Sequence, residues 1–163
     1  MRNFICKFCH MMLVSILILG AADDLIAAPA PALTRIAPVA LWAEETAGIP
    51  APESYPNRVP EGIVFRGENL YVKTRFVGYP AWSTLAYRSG TETGHALDYT
   101  ELARTPLTDG TRTIIGYEQT VMIPFAQLGT SAFDLCITAA DAGSGAQQSA
   151  YIRGIRTEAR QGN

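Results

Sequence analysis

Lysine, histidine and cysteine are scarce in this chain, and no long apolar run follows its first thirty residues. Thirteen Lys and Arg stand against fifteen Asp and Glu. Nucleic-acid binders carry a basic surplus that this chain lacks, so nucleic acid is excluded as its natural partner. Charged residues are only 17% of the chain and hydrophobic ones 48%, a balance that excludes intrinsic disorder. No Gly-x-Ser-x-Gly elbow is present to hold a strained nucleophilic serine. The 163 residues suffice for one domain and not for two comfortable ones.

What the first residues do contain is an export pattern. Arg2 and Lys7 precede the uncharged run Met11 to Leu19, and Gly20, Ala21 and Ala22 follow it. A basic start, a short apolar stretch and a small-residue exit make a secretory signal peptide. Nine strongly apolar positions fall short of the roughly 20 needed to span a bilayer. Residues 1–22 are therefore read as a signal peptide, with cleavage as late as 32 an alternative. No cysteine follows the run to take a lipid, so no stable membrane anchor is expected and the product is expected to be periplasmic or secreted. Loss of Arg2 and Lys7 leaves eleven basic against fifteen acidic residues.

Cys6-Lys-Phe-Cys-His10 matches the spacing for covalent haem attachment. It precedes the apolar run and should leave with the leader, so no cofactor is expected. Cys136 is then the one remaining thiol, and a disulfide framework is excluded. It sits in Phe133-Asp-Leu-Cys-Ile-Thr138, a strand-like segment, and is expected to be buried and inert.

Seven of the ten prolines fall between Pro29 and Pro60. Proline lacks the amide donor that a helix needs, so 23–60 reads as an extended Pro-rich arm with a short edge strand at 37–42. From Glu61 the apolar period is two. Ile63 to Phe65, a turn at Arg66 to Asn69, and Leu70 to Val77 predict a hairpin. Ser83 to Arg88 alternates again, and Thr111 to Ile123 is a long β-branched run ending at Pro124. Ala132 to Ala139 and Ser149 to Arg156 form a last pair. Asp98 to Ala103 reads as a helical turn or two inside a polar stretch. The pattern predicts an all-β domain over 61–158, an antiparallel β-sandwich of immunoglobulin-like or jelly-roll-like type with about 6–8 strands, and a tail at 159–163.

Val121-Met-Ile-Pro-Phe-Ala-Gln-Leu-Gly129 resembles the Ile-Pro-Phe-x-x-Leu-Gly strand and turn of carbohydrate-binding sandwich modules of the family 9 type. The likeness covers nine residues. Proline ends the strand, Phe125 and Leu128 cover the core edge and Gly129 permits the turn, a solution that unrelated sandwiches share. It assigns no family.

Chemistry-bearing residues are few. Tyr79-Pro-Ala-Trp82 concentrates two aromatics between strands, where exposed rings stack on sugars or anchor a protein interface. Tyr87, Arg75 and Arg88 lie nearby in sequence. His95 is the only histidine beyond the leader, in a Gly- and Thr-rich stretch with Glu92, Asp98 and Glu101. A carboxylate-oriented base there could serve a small hydrolase. Asp141-Ala-Gly-Ser-Gly145 reads as a glycine-rich hairpin loop in preference to a calcium loop, and no metal is expected. These residues lead to an exported, non-enzymatic binding module whose partner is an envelope or extracellular protein. A glycan ligand, or catalysis by His95, is the alternative.

Overall fold

A computed structural model describes residues 30–50, 58–129 and 131–159, with the backbone alone for 46–50. The expected leader, the Cys6–His10 motif and the earlier cleavage site lie outside the described residues, while the later alternative, after Ala32, falls within them. Prolines govern where strands fit. Strand β1 (Arg35–Ala43) carries Pro38 where its register against β4 (Asn69–Val77) shifts, between Pro38 and Ala40. A proline inside a sheet is tolerated at such a bulge because no ladder hydrogen bond is required of it there. Pro50 closes β2 (Thr46–Pro50), Pro80 opens β5 (Pro80–Ser89) and Pro124 closes β8 (Ile114–Pro124). Pro106 lies on β7 (Thr100–Thr108), an edge strand.

The strands form antiparallel sheets in the order β2-β1-β4-β8-β7 and, with β6 (His95–Leu97), β9 (Phe133–Asp141) and β10 (Gln147–Ile155), in the order β10-β9-β5-β6. A small parallel pair joins β3 (Phe65–Gly67) to β11 (Thr157–Ala159). The only helical turn among the described residues is a single 3-10 turn, Phe125–Gln127.

Alternation explains the core. Leu70, Val72, Thr74 and Phe76 of β4 are fully buried, and β8 aligns Ile123, Val121, Gln119 and Tyr117 opposite them. The other sheet contributes Tyr87, Leu135, Ile137, Ile152 and Ile155 to the same buried cluster. The two sheets meet directly, since the Phe76 ring of one lies 5.4 Å edge-on from Trp82 of the other.

Four sequence expectations change. The segment at 37–42 is not a short edge strand; β1 is nine residues long and lies between β2 and β4. Ile63–Phe65 does not form a hairpin with Leu70–Val77, because β3 pairs with distant β11 while β4 pairs with β1 and β8. Asp98–Ala103 holds no helical turn, since β7 begins at Thr100 and is hydrogen-bonded along β8. Eight strands, β3 to β10, lie within 61–158 as expected, but the segment read as an arm adds β1 and β2, and with β11 the described residues hold eleven.

Two local devices fix the chain where it enters the fold. Gly78 has φ +95°, and a Cβ there would lie 1.9 Å from the Ala32 carbonyl oxygen. Glycine alone permits both the left-handed turn and that approach. Beside it, buried Asp141 accepts the Leu33 amide at 2.5 Å and the Ser144 amide and hydroxyl at 2.6 Å each. The Asp141–Gly145 segment is thus an Asp-capped turn between β9 and β10. The Ser144 hydroxyl, then the Leu33 and Ser144 amides, hold the Asp141 carboxyl at about 2.

Candidate functional site

The aromatic stretch Tyr79–Trp82 opens β5, and its side chains turn toward the five-stranded sheet. Tyr79 meets Tyr117 edge-on at 5.5 Å, and Trp82 meets the same ring at 5.5 Å. Trp82 is half-buried, so it seals one end of the core and still reaches solvent.

What covers Trp82 comes from β7. The register places Glu101 opposite Val121, Arg104 opposite Gln119 and Pro106 opposite Tyr117, so these three side chains face inward like their β8 partners. A bulge between Glu101 and Ala103 lets residues 101 and 104 share this face. The Arg104 guanidinium sits 3.7 Å over the Trp82 ring and is ion-paired to Glu101. Cation–π contact and ion pair together fix its position.

A polar chain runs inward from that pair. Gln119 donates its Nε2 proton to Glu101 at 2.5 Å, and the Tyr87 hydroxyl donates to Gln119 Oε1 at 3.1 Å. The same hydroxyl lies 3.4 Å from the Thr74 hydroxyl. Tyr87, Thr74 and Gln119 are at most 1% exposed, and each finds its partner within the chain. Burial pushes the Tyr87 hydroxyl well above the ordinary tyrosine range. Burial also works to raise the Glu101 carboxyl, but hydrogen bonds from Arg104 and Gln119 outweigh it and hold the group below its ordinary value. Tyr99 closes the cluster, 4.9 Å from the Tyr87 ring.

The expected site residues are thus only partly gathered. Tyr79 and Trp82 meet at one end of the intersheet space, and Tyr87 lies deeper in it as a core residue. Arg75 points to the opposite face of its sheet, bound to Glu118 through Nε at 3.0 Å and a terminal nitrogen at 2.7 Å. Lys73 joins the same carboxylate at 2.6 Å. Arg88 lies on the outer face of the other sheet and donates to the Gly94 carbonyl at 3.0 Å. His95 is exposed on β6, paired through its backbone with Ser89.

Cys136, opposite Arg88 in the ladder, is buried, and that burial pushes its thiol up. A thiol held protonated is a poor nucleophile. Sequence reasoning misses Arg104, Gln119, Tyr99 and Tyr117, and it reaches Glu101 only as a neighbour of His95. A glutamine inside the β-branched run Ile114–Ile123 is the one available signal, since a buried amide in a strand demands a partner.

A second concavity of about 440 Å³ lies at the far end of the fold, lined by Gly67, Glu68, Phe125, Ala126, Leu128 and Gly129 with Thr157 and Ala159. It carries one charged side chain and no aromatic pair. No helix among the described residues is long and apolar enough to cross a membrane. No known protein-family model matches the chain, and no curated protein matches it.

Proposed function

We propose that this chain is an exported, non-enzymatic β-sandwich binding module, immunoglobulin-like or jelly-roll-like, that recognises a protein partner in the cell envelope. The recognition surface is the flank where Trp82, Arg104, Tyr99 and Tyr117 meet. One observation carries the reading: Arg104 and Glu101 face inward on β7, yet their side chains stay about a third exposed beside half-buried Trp82. Tryptophan, tyrosine and arginine held rigidly at a partly open surface are the residue types on which protein interfaces concentrate their binding energy. The buried Tyr87–Gln119–Glu101 chain supports this, because it holds the arginine in place before a partner arrives.

The arrangement favours protein over glycan. A sugar stacks on a free ring face, and the Arg104 guanidinium already lies on the face of Trp82 that it covers. Hydrolysis centred on His95 with Cys136 finds no support in a buried, protonated thiol. The amino-terminal export pattern supports a periplasmic or secreted location.

The test is co-purification from the native envelope, with partners identified by mass. The wild-type chain should retain a defined protein that Arg104→Ala loses while it still folds, its stability lowered by only about 1 kcal/mol for the lost cation–π contact. Retention of the same protein by both chains, or binding to glycan alone, overturns the reading.

A further inference from the structure

The free edge of β7 has a self-complementary order of residues. β7 ends the five-stranded sheet, and among the described residues no strand pairs with its outer side. Eight of its nine residues are exposed, and Leu102, at 51%, is one of two exposed large hydrophobic side chains among those described. Edge strands of this length template pairing with another chain unless proline, bulges or charge blunt them. Here Pro106 and the irregularity between Leu107 and Thr108 blunt the carboxyl-terminal end, and the bulge between Glu101 and Ala103 interrupts Thr100–Thr105 at its middle, where a two-fold axis would set one bulge against its copy.

We infer that this edge pairs with the same edge of a second copy, antiparallel about a two-fold axis between Leu102 and Ala103. In that register Glu101 stands opposite Arg104 of the second copy, and Arg104 opposite its Glu101. Thr100 meets Thr105, and Leu102 meets Ala103. Opposed residues of an antiparallel pair must share a sheet face. They do: Glu101 and Arg104 face inward, while Thr100 and Thr105 align with Met122 and Glu118 on the outer parity. Tyr99 would oppose Pro106: Tyr99 packs on Tyr87 from the inner side, and Pro106, though exposed, shares the parity of its register partner Tyr117.

Neighbouring registers fail. Centring the axis on Glu101 sets two carboxylates against each other, and centring it on Arg104 sets two guanidiniums together. The register with two Glu–Arg pairs gives each carboxylate a guanidinium from either side and extends the sheet across both copies. Such a two-fold contact is closed and stops at a dimer. The inference goes beyond the envelope-partner reading and shares Arg104 with it, so pairing would cover part of that flank; its test uses the purified chain alone and fails independently of partner capture.

The test needs only the purified protein, followed by sedimentation and light scattering over a concentration series. The wild type should pass from one mass to twice that mass, more weakly at high salt. Glu101→Arg and Arg104→Glu should each weaken self-association by about tenfold, since each turns two attractive cross-strand pairs into repulsive ones. Mixing the two variants should restore a heterodimer, because one chain then carries two guanidiniums on this edge and the other two carboxylates, each facing its opposite. A loss caused by misfolding is not repaired by mixing. If either variant fails to fold, Leu102→Lys, at an exposed position, should weaken the dimer in its place. A wild type that stays monomeric throughout the series overturns the inference, as does a dimer that both charge reversals leave intact.

Discussion

Replacing Tyr87 by phenylalanine tests the buried polar chain behind the flank. The ring stays, so packing against Ile137 and Tyr99 is preserved and only the hydroxyl is lost. Gln119 Oε1, in a side chain 1% exposed, then has no donor where water does not reach. An orphaned buried acceptor costs about 1–3 kcal/mol, against about 1 for an ordinary hydrogen bond. For a chain of this size each kcal/mol moves the midpoint by about 3 °C, so Tm should fall by roughly 3–9 °C. Urea titration gives the free energy directly. Adding Gln119→Leu removes the orphan, and Glu101, a third exposed, turns to water for its missing donor. The double variant should therefore be more stable than the two single losses predict, by about 1–2 kcal/mol of coupling. A Tyr87→Phe chain within about 0.5 kcal/mol of wild type, with additive single losses, would refute the claim that this network is buried and paired.

Other expectations rest on separate contacts. Trp82→Ala should lower stability by about 2–3 kcal/mol, less than the 3–5 of a fully buried aromatic, because the ring packs on Phe76 and Tyr117 while part of it stays exposed; chemical denaturation measures this. Gly78→Ala should cost about 1–3 kcal/mol, since the left-handed φ and the Ala32 carbonyl both exclude a side chain; a calorimetric midpoint equal to wild type would contradict it. Asp141 has a carboxyl depressed from its ordinary value of 3.8 to about 2. Its contribution is thus complete above about pH 4 and is lost as pH falls toward 2. Asp141→Asn should flatten that acid limb of the stability profile, and an unchanged limb would show that the carboxylate contributes nothing there.

Local pattern made some of this fold legible in advance and hid the rest for identifiable reasons. β4 was readable because one face is buried along its whole length, which writes alternation into Leu70, Val72, Thr74 and Phe76. β9 and β10 were readable from their β-branched and apolar content between turn residues. β7 was not, because a strand exposed on nearly all sides carries no alternation, and Asp98–Ala103 then looks like a polar helical turn. β3 reads as extended in the sequence, but its pairing with β11 spans some ninety residues and leaves no local trace. The same gap hid the site. Trp82 was conspicuous in sequence, but Arg104 reaches it only after β7 is laid beside β8, and the bulge after Glu101 decides which β7 side chains face inward. Arg75 and Arg88 lie close to Trp82 in sequence but on outer sheet faces, as the two-residue period of a strand dictates.

The proposed recognition surface is tested most directly by photo-crosslinking in the intact native envelope. A photoreactive residue at Ser83, exposed beside Trp82, should capture one defined envelope protein, and mass separates that product from a homodimer. The same residue at Glu61, exposed and outside the aromatic cluster, should capture none. Capture from Glu61 alone, or from neither position, would contradict the assignment of this flank.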